Sequence, residues 1–245
     1  MEFFQSFLEC IAKVETGSLE PVLAILRHPD RLRRAWMALD GSTSRPWRGN
    51  SFAPQISYGR HRGPAPPSTH PAAVLMALLP SPTNQHQGQW TIPLTLRPAT
   101  MAEHAGQVSF PGGRCQAGES HEQAACREYT EELGCPNERI ELIGSLPSMY
   151  VYASRHRVVP LLGLGGDLPV MRPNPDEVSE VLFLPLEHLL GLRPLVRKIQ
   201  RGAMLIETPG FWLEGHWVWG ATAMMLEDLK IRLVRIARNW GAFEK

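Results

Sequence analysis

Glu128, Glu131 and Glu132 stand at positions i, i+3 and i+4 of a short segment, a spacing that brings three carboxylates to one edge of a helix. Ala125, Tyr129 and Leu133 stack beside them at i, i+4 and i+8 as a core-facing stripe, so the acidic edge meets the protein interior. Like charges at this spacing repel by about a few tenths of a kcal/mol per pair in water, and by more where solvent is scarce. A hard divalent cation such as Mg²⁺, which takes carboxylate, phosphate and water oxygens, would relieve that repulsion; a solvated acidic face would tolerate it. From the carboxylates alone both readings stand. If a metal is the answer, phosphate and water oxygens are the ligands that would complete its shell.

The elements that must position these groups are legible nearby. Ser120 followed by Gln123 is a capping-box pattern, and Leu133-Gly134-Cys135-Pro136 supplies a glycine stop with proline beyond it, which predicts a helix over 121–133. Phe110-Pro111-Gly112-Gly113 ends a short β run and leads through Gly118 and Glu119 into that helix, setting backbone of low steric demand beside the carboxylates. Apolar runs at Ala73 to Leu79 and Trp90 to Leu96 read as a hairpin across the polar turn Ser81 to Gln89. Ile140 to Leu146, Val158 to Leu164 and Val178 to Leu184 read as further strands, and 221–239 as a second helix. Strands interleaved with helices predict an α/β (α+β) fold with a mixed sheet between helices.

Upstream, residues 1–15 and 20–38 carry helical spacing, and 39–71, with Pro64-Ala65-Pro66-Pro67, reads as an irregular connector. The expected division is a helical extension with its connector over 1–69 and a catalytic unit over 70–245. The basic group Arg60, His61 and Arg62 reads as a solvated loop, with a phosphate contact as the alternative. A formal charge of +1 gives no bulk attraction for nucleic acid or an anionic membrane. Cysteines 10, 115, 126 and 135 form no CxxC pair and read as buried thiols of a reducing compartment. With no apolar run long enough to span a bilayer, the cytoplasm is the expected location.

From Gly113 to Cys135 the chain spells Gx5Ex7REUxEExGU, with Gly113, Glu119, Arg127, Glu128, Tyr129, Glu131, Glu132, Gly134 and Cys135 at the fixed positions. This resembles the Nudix box, and the resemblance to the wider Nudix fold covers about residues 70 to 240. It implies Mg²⁺ or Mn²⁺ held by Glu128, Glu131, Glu132 and the Gly113 carbonyl. It also implies an orienting pair of Arg127 and Glu119, with Glu128 or a later carboxylate helping to deprotonate water. Glu177 is the candidate for that later carboxylate, with Asp176 and Glu180 as competitors.

Ahead of the box, Leu94, Thr95, Arg97, Gly106 and Phe110 to Gly113 are similar to the signature of the coenzyme A diphosphatase branch of the family, as is the segment Trp219-Gly220-Ala221-Thr222. The resemblance implies a small nucleotide-derived substrate of coenzyme A type, cut to 3′,5′-ADP and 4′-phosphopantetheine. Arg97, His104, Gly106, Phe110 and Gly112 are the implied substrate contacts. A second arginine of that signature is replaced by Ala102, which removes one phosphate clamp and keeps ADP-ribose or another nucleoside diphosphate derivative in play. Arg155, His156 and Arg157 read as a replacement for it or as a basic surface loop beginning a strand. A nucleotide sensor of the same fold is the alternative of another class, and homodimerisation is left open.

Overall fold

The computed structural model of the chain describes residues 23, 26–40, 50–54, 61, 63, 65–81, 90–101, 104–201 and 203–238. The expectations for residues 1–15, Arg60, Arg62, Pro64, Ala102, Cys10 and most of the turn before Trp90 lie outside the described residues.

The organising strand is β1 (His70–Pro80). Its odd residues Ala73, Leu75, Ala77 and Leu79 face one core, and its even residues Ala72, Met76 and Leu78 face another. A strand covered on both faces has no use for polar alternation, which is why it reads as a continuous apolar run. Helix α1 (Pro29–Asp40) precedes it, and β2 (Trp90–Leu96) returns antiparallel with Leu79 opposite Thr91. After the short strands β3 (Val108–Ser109) and β4 (Gly112–Arg114) comes helix α2 (His121–Leu133).

Strands β5 (Ile140–Ser145), β6 (Met149–Val151) and β7 (His156–Gly165) follow. β7 lies parallel to β1 from His70 opposite His156 to Leu78 opposite Leu164, and pairs antiparallel with β5 and β6. β8 (Glu180–Pro185) pairs with β2, and helices α3 (Leu186–Gly191) and α4 (Gly220–Arg238) come later. The result is a mixed sheet with α2 on one face of β1. On the other face Trp36 of α1, Leu189 of α3 and Leu229 of α4 share one core. Arg232 of α4 stacks 4.1 Å over the Trp36 ring and donates to the Trp36 carbonyl at 3.3 Å.

The sequence reading leaves out a second sheet built of β9 (Leu195–Arg201), β10 (Met204–Leu213) and β11 (His216–Trp219). Most of β9 is exposed, including Leu195 and Val196, so the inside-outside alternation that marks a half-buried strand is missing. Glu214 and Gly215, both at positive φ (49° and 85°), make the two-residue turn between β10 and β11, a hairpin signal that composition alone conceals. The cysteines also differ from expectation. Cys135 is buried, but Cys115 and Cys126 are half-buried free thiols because they lie at the margins of the α2 face. No helix among the described residues is long and apolar enough to cross a membrane.

Candidate active site

Helix α2 begins and ends where its caps dictate. The Ser120 hydroxyl accepts from the Gln123 amide at 3.2 Å, and the Gln123 side chain accepts from the Ser120 amide at 2.9 Å, satisfying two orphan donors reciprocally. Gly134 takes the left-handed conformation (φ 59°) and donates to the Thr130 carbonyl at 2.9 Å. Ala125, Tyr129 and Leu133 are fully buried against β1, which fixes the rotation of the helix. That rotation does not leave the three glutamates equivalent along one edge. The Glu131 side chain is half exposed, Glu128 is mostly covered, and Glu132 is only 3% exposed, turned inward between helix and sheet.

Glu132 accepts from the Gly112 amide, and the Thr95 hydroxyl lies 3.4 Å from its carboxylate. Burial, reinforced by Glu128 and Glu177, pushes its carboxyl up to about 8 against the opposing pull of Arg97. Burial likewise raises Glu128, where Arg127 opposes it. Glu177 is therefore an electrostatic neighbour of both. Its loop is pinned to α2, with Arg172 donating to the Leu133 carbonyl at 2.8 Å and Asn174 to the Glu132 carbonyl at 2.9 Å. The Asn174 side chain accepts from the Asp176 amide, an Asx turn that Asn174-Pro175-Asp176 could have announced in the sequence, and the Asn174 backbone carbonyl accepts from the Glu177 and Val178 amides. Of the competitors, Glu180 sits in β8, 3.4 Å from His216.

Arg127 uses its whole guanidinium. Nε and Nη2 donate to the two oxygens of Glu119 at 2.8 and 3.1 Å, Nη1 to Glu128 and Glu131 at 2.8 Å each, and Nη2 to the Arg114 carbonyl at 3.1 Å. This fork holds the Glu119 carboxyl well below its ordinary range. Among the described residues no three carboxylate, imidazole or thiol groups are placed so that they could hold a metal ion together; Glu128 and Glu131 are instead bonded to Arg127. Gly113 completes the arrangement: a Cβ there would lie 2.5 to 2.8 Å from the Glu128 carboxylate atoms.

A cavity of about 640 Å³ is lined by Arg97, His104, Phe110 and Gly112 among the expected contacts. The Arg97 Nε is buried there without a hydrogen-bond partner. His104, at φ 57°, bonds Gln107 through Nδ1 at 2.9 Å, and Gly106, at φ 65°, donates to the Arg97 carbonyl, closing the loop that carries both. Phe110 is a buried floor residue, and Trp219 is half-buried in the cavity wall. Arg155 and Arg157 bond Ser68 and Ser148, and His156 packs against His70 at 5.9 Å.

The NUDIX domain family matches residues 76–204, which contain the acidic helix and its glycine loop. The chain belongs to the Nudix hydrolase family. It is similar to the uncharacterized Nudix hydrolase NudL of Pectobacterium atrosepticum, with 33% identity over 69% of this chain and 88% of the relative. NudL of Escherichia coli is 35% identical over 66% of this chain and 82% of its own length. Among solved structures, a MutT/nudix family protein from Enterococcus faecalis superposes with a TM-score of 0.46 at 16% identity, covering 85% of this chain and 75% of that one.

For a Nudix hydrolase acting on nucleoside diphosphate derivatives, the Arg127 fork is the part that geometry makes hardest to replace. Lysine offers one point charge with no planar fork. Arg127→Lys is expected to lower kcat by about 10- to 100-fold with a smaller change in KM, as measured by steady-state hydrolysis. An unchanged kcat would reduce the fork to a surface ion pair.

Proposed function

We propose that the protein hydrolyses the diphosphate linkage of coenzyme A or one of its derivatives, giving 3′,5′-ADP and a 4′-phosphopantetheine product. The observation that carries this reading is the juxtaposition at Gly112. The Gly112 amide bonds the buried, charge-crowded Glu132, and the residue also lines the cavity in which the Arg97 Nε has no hydrogen-bond partner. Crowded buried carboxylates call for a divalent ion, and a guanidinium Nε–H buried without an acceptor calls for an anionic oxygen.

Glu128, Glu131, Glu132 and the Gly113 carbonyl would hold Mg²⁺ or Mn²⁺, and the donor set fits, being all oxygen and acidic. When bound, the metal neutralises diphosphate charge and makes its water more acidic. Arg127 and Glu119 orient the glutamates. Glu128 or Glu177 receives the proton of the attacking water, and Arg97 holds a phosphate oxygen, with His104, Gly106, Phe110 and Gly112 as the further substrate contacts. Displacement at one phosphorus then leaves two phosphomonoesters.

In this reading residues 70–245 are the catalytic unit and 1–69 an extension. β1 starts at His70, while Trp36 and Phe52 are buried in the shared core, so the described parts of that stretch pack with the catalytic unit. The partner is a small molecule, the chain works in the cytoplasm, and neither nucleic acid nor membrane is required. The replacement of the second signature arginine by Ala102 favours ADP-ribose as the second reading. Incubation with Mg²⁺ or Mn²⁺ and a mixture of coenzyme A, ADP-ribose and a dinucleoside polyphosphate, with products identified by mass, tests both. Release of 3′,5′-ADP is expected; turnover of ADP-ribose alone would replace the first reading with the second.

A further inference from the structure

Glu227 of α4 is 9% exposed, and a carboxylate so covered needs donors. Its donors all come from one stretch 175 or so residues earlier. The Ser51 amide donates to it at 2.6 Å, the Phe52 amide at 3.4 Å, and the Ser51 hydroxyl bonds its other oxygen. Asn50 adds bonds from its side-chain amide to the Met224 carbonyl at 2.9 Å and to Asp228 at 3.3 Å. Phe52 is 2% exposed and meets Phe211 edge-on at 5.9 Å. Residues 50–52 are thus latched to one turn of α4.

The consequence lies in the cavity. Pro54, two residues past the latch, lines it, as does the buried His61, together with Met224 and Met225 from the latched turn and Ile206 of β10. Arg97 and Gly112, which line the same cavity, come from within the family-matched residues 76–204. Pro54, His61, Met224 and Met225 lie outside that stretch. Apart from His61 these four are apolar, and methionine adapts to flexible chains.

We propose that residues 50–54 and His61, held by the Glu227 latch, form a specificity wall selecting substrates that carry a flexible aliphatic group beyond the diphosphate. Resting on the coenzyme A reading, the aliphatic group is an acyl chain on the thiol. Each methylene buried against the wall raises kcat/KM by about two- to fourfold.

The test uses the full chain and measures kcat/KM for coenzyme A and its acetyl, butanoyl, hexanoyl and octanoyl thioesters. It is run on the parent, on Pro54→Trp, which adds bulk to the cavity wall at that position, and on the milder Ser51→Ala, which removes one latch bond. Calorimetric titration with octanoyl-pantetheine, which lacks the diphosphate, accompanies it. The expected result is a rise with chain length in the parent, flattened in Pro54→Trp and reduced in Ser51→Ala, with octanoyl-pantetheine binding lost in Pro54→Trp. Absence of a rise in the parent, or the same rise in both variants, overturns the wall while leaving hydrolysis of coenzyme A intact. If no coenzyme A compound is cut yet octanoyl-pantetheine binds the parent and not Pro54→Trp, the wall stands and the substrate reading falls. If octanoyl-pantetheine binds neither protein and none of the compounds is cut, both fall.

Discussion

Replacing Glu132 by Gln is expected to lower metal-dependent hydrolysis by about a thousandfold or more, because an inward carboxylate is exchanged for an amide that cannot neutralise a divalent ion. Steady-state rates over a metal titration measure the loss, and activity within tenfold of the parent would remove Glu132 from the metal site. The same substitution has an opposite effect on the metal-free fold. With its carboxyl raised to about 8 by burial, folded Glu132 keeps a proton that the unfolded chain has released above its ordinary range. Metal-free stability therefore falls as pH rises from about 4.5 to about 8 and levels above that. Each pH unit in that window is worth about 1.4 kcal/mol for a fully shifted group. In chelator, the parent is expected to lose on the order of 3–5 kcal/mol between pH 5 and pH 8.5 through this group. The Gln variant lacks that contribution and unfolds at higher urea than the parent at pH 8.5. Parallel pH profiles for the two proteins would contradict it.

Gly113→Ala is expected to lower kcat by about a hundredfold while leaving the fold standing. The added Cβ would come within 2.5 to 2.8 Å of the Glu128 carboxylate, the far end of a flexible side chain, which can swing away. A displacement of about 1 Å in a positioned catalytic group costs on the order of 100-fold. Gly112 makes the control. Its φ of 153° and a Cβ pressed onto the Ala73 carbonyl, and to 2.6 Å from the Val74 Cα, leave only backbone to move. Gly112→Ala should therefore break the β1–β4 pairing and lower stability outright. Rates together with urea midpoints separate the two, and a Gly113→Ala enzyme with parental kcat would place Glu128 outside the chemistry.

What could be read in the sequence follows the range of the interactions responsible. The ends of α2 agree residue for residue, since capping by Ser120, Gln123 and Gly134 is settled within four positions of chain. The strands β1, β2 and β7 were also readable, because burial on both faces writes itself as composition. By contrast, the inward turn of Glu132 depends on how α2 docks on β1, and the spacing rule placed it level with Glu128 and Glu131. The ordered stretch Asn50 to Phe52 was read as connector. Its donors meet an acceptor at Glu227, and no local pattern encodes a bond across 175 or more residues. β9 was missed for the converse reason: a strand with two wet faces carries no alternating pattern.

The bonds from Arg172 and Asn174 to the Leu133 and Glu132 carbonyls make the end of α2 and the Glu177 loop a single mechanical part. The loop borrows the carbonyls that the last helical turn leaves vacant, so it has no separate hinge with which to approach or leave. Fraying of that turn would carry off the fourth carboxylate together with Glu132. The stiffness of the acidic constellation is thus set by a splice at the helix terminus, made on the backbone of Glu132 and its neighbour Leu133.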